Sequence, residues 1–149
     1  MHESPRMADG LYFAYGSNMD PVQMASRCPD ARPIGQAQLT GWEVHIYGRG
    51  FATVVPAPES VTWGVLWDVS PSDVRSLDRY EGVAEGLYRR ELLTVEGAES
   101  AAVALIYIAA FDGDGVPGQA YLERILHGAR AFDLPADYCA KLARLGDGE

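Results

Sequence analysis

The sequence predicts an α+β fold: a small mixed β-barrel of about five to seven strands flanked by helices. Three observations carry that expectation. Strand-like runs dominate the first two-thirds of the chain, two short helical segments are inserted among them, and two amphipathic helices close it. The strict alternation of strand and helix that a doubly wound sheet needs is absent. At 149 residues and 48% hydrophobic, the chain fits one domain that buries about 70% of its unfolded surface. Residues 1–9 read as a loose tail, in which Met7 offers an alternative start, and 10–149 as that single domain.

Leu11 to Tyr15 is short, aromatic and apolar and is cut by Gly16, the pattern of a buried strand. Asp20-Pro21 then supplies an N-cap and a first-turn proline for a helix through Ser26. Cys28 to Pro33, with two prolines, reads as loop. Ile34 to Ile46 carries Trp42, Val44 and Ile46 at period two and predicts a long strand bulged at Gly41. Phe51 to Val55 is another strand, ended by Pro56-Ala57-Pro58. Val61 to Val69 follows, with Trp63, Val65, Trp67 and Val69 on one face. Ser70-Pro71, with Asp73 three residues past Ser70, forms an approximate capping box for a helix that Gly82 terminates. Arg89–Val95 and Ala101–Phe111 are two further strands around a turn near Gly97. Tyr121, Leu122, Ile125, Leu126, Ala129 and Phe132 form one apolar helical stripe, and Pro135 opens a last helix bearing Tyr138, Leu142 and Leu145.

The net charge is −9, from 12 basic and 21 acidic residues, so a broad nucleic-acid footprint is not expected. A small anionic substrate stays open, because a few backbone N–H groups dominate locally whatever the overall sign. Cys28 and Cys139 match neither a redox pair nor zinc-ligand spacing, and read as two buried thiols in a reducing compartment. His2, His45 and His127 are scattered, so no metal is expected. No apolar run approaches the ~20 residues of a membrane span, and no signal peptide is visible. The expected location is the cytoplasm.

Two segments carry chemistry. In Leu77-Asp78-Arg79-Tyr80-Glu81-Gly82, the Glu81 carboxylate falls in the last turn of a helix, where the unpaired carbonyls hold partial negative charge. Such a carboxylate tends to keep its proton, more so if buried, and proton-transfer catalysts need that tuning. The competing reading is an exposed carboxylate before a C-cap glycine. In Tyr15-Gly16-Ser17-Asn18-Met19, a strand breaks and re-enters a helix, which is the geometry of an anion nest or, equally, of a plain tight turn.

Four motifs in register resemble the γ-glutamylcyclotransferase (AIG2-like) family. They are Leu11 to Met19, Trp63-Gly64-Val65-Leu66-Trp67, Leu77-Asp78-x-x-Glu81-Gly82-Val83 closing on Tyr88, and Tyr121-Leu122 through Gly128-Ala129 to Leu134-Pro135-x-x-Tyr138. The resemblance implies a small β-barrel flanked by helices, often a homodimer, that acts on a small γ-glutamyl molecule without cofactor or metal. By resemblance, Gly16, Ser17 and Asn18 hold the α-carboxylate of the γ-glutamyl group through main-chain N–H groups, with Tyr15 bordering the pocket. The family's acid/base glutamate falls on Glu81, a pocket tyrosine on Tyr88 and a second, seen in some relatives, on Tyr138. Asn18, where the glutathione-degrading branch usually has leucine, places the chain nearer the general γ-glutamyl branch. Tyr88 and Tyr138 also fit ordinary core tyrosines. Trp42, Trp63 and Trp67 are assigned to packing, and Glu85 has no counterpart in the acid/base role. Arg27, Arg32 and Arg49 read as solvated surface residues, with a second substrate carboxylate as the alternative.

The implied chemistry explains why no nucleophilic serine or cysteine is evident. The α-amine of a γ-glutamyl amide attacks its own γ-carbonyl, closing a lactam and expelling the amine. Anchoring the α-carboxylate and moving one proton are then the remaining tasks. Removal of a γ-glutamyl protecting group from a biosynthetic intermediate uses the same chemistry, and a non-catalytic γ-glutamyl or carboxylate sensor would keep only the loop.

Overall fold

The computed structural model describes residues 10–147; the expected tail, residues 1–9, lies outside them. Five strands close into a barrel in the order β1-β3-β2-β4-β5. They are β1 (Leu11–Ala14), β2 (Arg32–Ile46), β3 (Ala52–Asp68), β4 (Tyr88–Gly97) and β5 (Ala101–Ala109). Neighbouring pairs are antiparallel except β5 against β1, where Tyr12 pairs Leu105 in parallel and shuts the barrel. The sheet is therefore mixed, with the strand count at the lower end of the expected range. Helix α1 (Pro21–Arg27) follows β1, α2 (Pro71–Tyr80) follows β3, and α3 (Gln119–Ala131), α4 (Ala136–Ala143) and a 3-10 turn over Arg144–Asp147 close the described chain.

The strand expectation needs one correction. The two separate runs on either side of Pro56-Ala57-Pro58 are one 17-residue strand, β3. The prolines do not end it because they stand where the ladder is already irregular. Thr40 pairs Val61, yet Trp42 pairs Pro56, so residues 57–60 loop past Gly41 and need no regular ladder N–H there. Gly41 has φ +90° at that shift, as its place in the sequence predicted. Smaller differences are of boundary: Arg32 and Pro33 already belong to β2, α1 runs one residue past Ser26, and β5 stops two residues before Phe111.

The core fills the barrel and the space beneath the helices. Phe13, Met19, Met24, Leu39, Val54, Val65, Leu77, Leu105, Ile106, Ile125 and Leu142 are all essentially inaccessible to water. Trp67 is buried, and Trp42 and Trp63 pack against the same core. Gly64 lets β1 and β3 meet: a Cβ there would lie 2.3 Å from the Ala14 carbonyl oxygen and 2.7 Å from the Phe13 ring. Cys28 and Cys139 are both buried free thiols, and burial pushes Cys28 up to about 12. Among the described residues, no group of three or more His, Cys, Asp or Glu side chains could hold a metal ion, and no helix is long and apolar enough to cross a membrane.

Candidate active site

The chain between β1 and α1 is a single 3-10 turn over Ser17–Met19, closed by Met19 N–H to the Gly16 carbonyl and Asp20 N–H to the Ser17 carbonyl, both 3.0 Å. Such a turn leaves its leading N–H groups, those of Ser17 and Asn18, without an internal acceptor. Gly16 has φ −120°, so its use here is close approach rather than a left-handed backbone. A Cβ at Gly16 would sit 3.3 Å from Ala52 Cβ and 3.5 Å from the Tyr121 hydroxyl. Side chains then fix the turn. Asn18 is buried and donates to the Tyr12 hydroxyl (3.0 Å), while its Oδ1 accepts from Gln23 (2.8 Å) and Arg27 (3.1 Å).

On the other side, α2 delivers Glu81. The predicted capping box is fully formed: Asp73 N–H donates to Ser70 Oγ (3.1 Å) and Ser70 N–H to Asp73 Oδ2 (3.2 Å). At the other end, Glu81 is the C-cap, Gly82 adopts φ +66°, and the Gly82 and Val83 N–H groups bond the carbonyls of Arg79 and Asp78. These paired bonds are a Schellman closure. Asp78 accepts from the Tyr107 hydroxyl on β5 (2.7 Å), tying the last turn of α2 to the barrel. Ser76 donates to the Arg27 carbonyl (2.6 Å), which ties α2 to α1.

The two segments meet in one cavity lined by five tyrosines (Tyr12, Tyr15, Tyr88, Tyr107 and Tyr121), with Gly16, Ser17, Asn18, Ala52 and Glu81. The Tyr88 hydroxyl donates to the Ala52 carbonyl (2.6 Å), the Ala52 N–H donates to the Tyr121 hydroxyl (3.0 Å), and the Tyr15 hydroxyl donates to the Tyr107 carbonyl. Burial, the larger cause, and the Glu81 charge both push the hydroxyls of Tyr12, Tyr15, Tyr88 and Tyr121 above their ordinary pKa of 10. They stay neutral at physiological pH. Glu81 behaves differently: enclosure by protein raises its carboxyl from 4.5 to about 7, against an opposing pull from Arg27. It is thus the cavity group poised to exchange a proton near neutrality.

The cause of that shift departs from the sequence expectation. The helix-end carbonyls that should have repelled the carboxylate are occupied by the Leu77, Asp78 and Arg79 hydrogen bonds of the closure, so loss of water, rather than the helix end, does most of the tuning. Glu85, by contrast, is exposed on the following turn and does not line the cavity.

Of the residues expected at the site, Tyr15, Gly16, Ser17, Asn18, Glu81 and Tyr88 line this cavity and Tyr138 does not. Tyr138 lies on α4, buried beside the Trp63 backbone, because α4 packs against the outside of the barrel and its side chain points into the core. The α-helical tyrosine at the cavity is Tyr121, from the first turn of α3, whose place in an apolar stripe concealed it. Tyr138→Phe is expected to leave kcat/KM for a turned-over substrate within about twofold of wild type, a comparison that steady-state kinetics makes directly.

Beyond Ser17, Glu81, Tyr88 and Tyr121 the cavity opens into an outer cleft. Arg27, Arg49 and Arg124 line it; Arg124 is paired with the Asp20 carboxylate at 2.6 Å, which leaves Arg27 and Arg49 facing the cleft in a chain of net charge −9. Arg27 is no mere surface residue: it bonds Asn18 and lies 4.3 Å over the Tyr80 ring. Arg32, in contrast, is exposed on β2 and lies outside both spaces.

Comparison with known proteins gives consistent matches. Residues 61–142 match the sequence model of the AIG2-like family. The γ-glutamylcyclotransferase of Bos taurus is 31% identical over 154 aligned residues, covering 94% of this chain and 82% of the bovine one. That of Homo sapiens is also 31% identical, over 89% of this chain and 76% of its own. A solved γ-glutamyl cyclotransferase superposes with a TM-score of 0.84 at 29% identity, covering 89% of this chain and 85% of the other.

Proposed function

The chain is an enzyme of the AIG2-like γ-glutamylcyclotransferase family, and we propose that it converts a γ-glutamyl amide into 5-oxoproline and a free amine or amino acid. The observation that carries this reading is the meeting of Glu81 with the Gly16–Asn18 turn in one tyrosine-lined cavity. The α-carboxylate of the substrate takes the free N–H groups of the turn, so the γ-glutamyl chain folds back on itself within reach of Glu81. Ionised Glu81 accepts a proton from the α-ammonium. The freed amine attacks the γ-carbonyl carbon, a carbon–nitrogen bond closes the lactam, and the original amide bond breaks. The departing nitrogen takes that proton from Glu81 as it leaves, the ring nitrogen sheds its remaining surplus proton to Glu81, and Glu81 passes it on to the released amine, which departs as an ammonium and leaves the carboxylate restored.

A carboxyl whose two forms are nearly equal in free energy around pH 7 can both take and return a proton at little cost. The neutral tyrosines supply walls and hydrogen bonds but no competing base. Arg27 and Arg49 in the outer cleft favour a leaving group that carries a carboxylate. Incubating the protein with a panel of γ-glutamyl amines, amino acids and peptides, followed by mass spectrometry, is expected to reveal 5-oxoproline. Free glutamate as the product would replace cyclisation with hydrolysis. Binding without turnover of any panel member would leave a sensor.

A further inference from the structure

A buried negative charge stands directly behind the proposed carboxylate-binding turn. Asp20 ends the 3-10 turn through its N–H and begins α1 as its N-cap, accepting from Val22 N–H at 3.2 Å. Its side chain is only 4% exposed. Left alone, this carboxylate would repel a substrate carboxylate bound at Ser17 and Asn18, two or three residues away in the same turn. It is not alone. Arg124 donates to Oδ2 at 2.6 Å and His127 Nδ1 lies 2.9 Å from Oδ1, both from α3. These contacts, with the capping bond, hold the Asp20 carboxyl below its ordinary range against the opposing effect of burial.

The backbone supports the same arrangement. Gly128, one residue past His127, brings α3 so close that a Cβ there would fall 2.4 Å from the Met19 carbonyl carbon and 2.5 Å from Asp20 N. One turn before Arg124, Tyr121 reaches Ala52 N–H and the edge of Gly16. The face Tyr121–Arg124–Gly128 of α3 thus runs along the whole outer side of the turn.

We infer that Arg124 and His127 are positioning residues, Arg124 neutralising Asp20 and both clamping its carboxylate in place, so that the turn presents its N–H groups to an anion without a repelling charge behind them. This rests on the reading of the turn as the carboxylate cradle. Removing Arg124 leaves a buried carboxylate with less compensation, whereas removing the charge of Asp20 as well takes the repulsion away; asparagine remains a competent N-cap. Arg124→Met is therefore expected to raise both KM and the Kd for 5-oxoproline about tenfold, with a much smaller change in kcat. Asp20→Asn combined with Arg124→Met is expected to bring both back towards wild type, and Arg124→Lys to preserve them.

5-Oxoproline lacks the leaving group, so its affinity separates an effect on the cradle from loss of a direct contact in the outer cleft. If Arg124→Met fails to fold in a melting assay, His127→Phe serves instead: the ring is 63% exposed, and a smaller rise in the same direction is expected. An unchanged Kd in a folded single variant, or a double variant no better than the single one, overturns the inference. Failure of the wild-type chain to release 5-oxoproline from any substrate overturns the proposed function, and this inference with it.

Discussion

Glu81→Gln is expected to lower kcat for 5-oxoproline release by about 10²–10⁴-fold, with substrate affinity and fold largely retained. Glutamine keeps the shape and the hydrogen-bonding oxygen of the side chain but can neither take the α-ammonium proton nor return it to the leaving nitrogen. The Schellman closure that holds position 81 consists of main-chain bonds from Glu81, Gly82 and Val83, none of which the substitution touches. The Gly16–Asn18 turn is held by Asn18, Gln23 and Arg27, again independently of the carboxylate. Rate and binding should therefore separate. Single-turnover kinetics with a γ-glutamyl amino acid checks this, and full turnover in the variant would remove Glu81 from the chemistry and leave the tyrosine cavity as a binding site only.

The residues legible in the sequence are those whose environment is made by their own chain neighbours. Gly82 had to terminate a helix, Ser70 and Asp73 had to cap one, and Gly41 had to mark a bulge, because each role is set within a few residues. Glu81 was visible for the same reason, although the local cue led to the wrong main cause of its tuning. The helix end is neutralised by its own closure, and the enclosure that replaces it is built from β1, β5 and α3, which no local pattern exposes. Tyr12 and Tyr107 enter the cavity because β1 and β5 are parallel neighbours at Tyr12 and Leu105. That pairing spans more than ninety residues of sequence. Arg27 and Tyr121 look, by sequence, like a helix-end cation and a stripe aromatic. Only the docking of α1 and α3 on either side of the turn turns them towards Glu81.

The misplacement of Tyr138 and the fused β3 have related origins. A tyrosine on an amphipathic helix belongs to the core or to a pocket according to which layer the helix meets, and α4 meets the outside of the barrel beside Trp63. Pro56 and Pro58 break a strand only if their missing N–H groups were due to pair. Here Pro58 lies among the four residues that face a single glycine of the partner strand, and Pro56 pairs Trp42 at the edge of that irregularity, where the ladder shifts register. In both cases the deciding partner is remote in sequence.

Glu81, the proposed proton carrier, should also make the folded state sensitive to pH, in a direction opposite to that of an ordinary salt-bridged carboxylate. Its pKa is about 7 in the folded protein against an ordinary 4.5. Below pH 4.5 the group is protonated whether the chain is folded or not and carries no penalty. Between 4.5 and 7 the unfolded chain releases the proton while the folded one retains it, so stability falls as pH rises; above about 7 the loss is complete and constant. The full effect is at most about 3 kcal/mol by linkage, and smaller to the extent that water reaches the carboxyl from the cleft. Glu81→Gln carries none of it. Urea midpoints of the wild type and the variant, measured from pH 4 to 8, are therefore expected to coincide at the acid end and to separate progressively in favour of the variant, running parallel above pH 7. The other ionisable groups are common to both proteins and cancel in the difference. The kcat/KM profile should rise over the same interval, since only ionised Glu81 can accept the first proton. A constant stability difference across the whole range would mean that this carboxylate titrates like any exposed one, and would withdraw the physical basis for its role as a proton carrier.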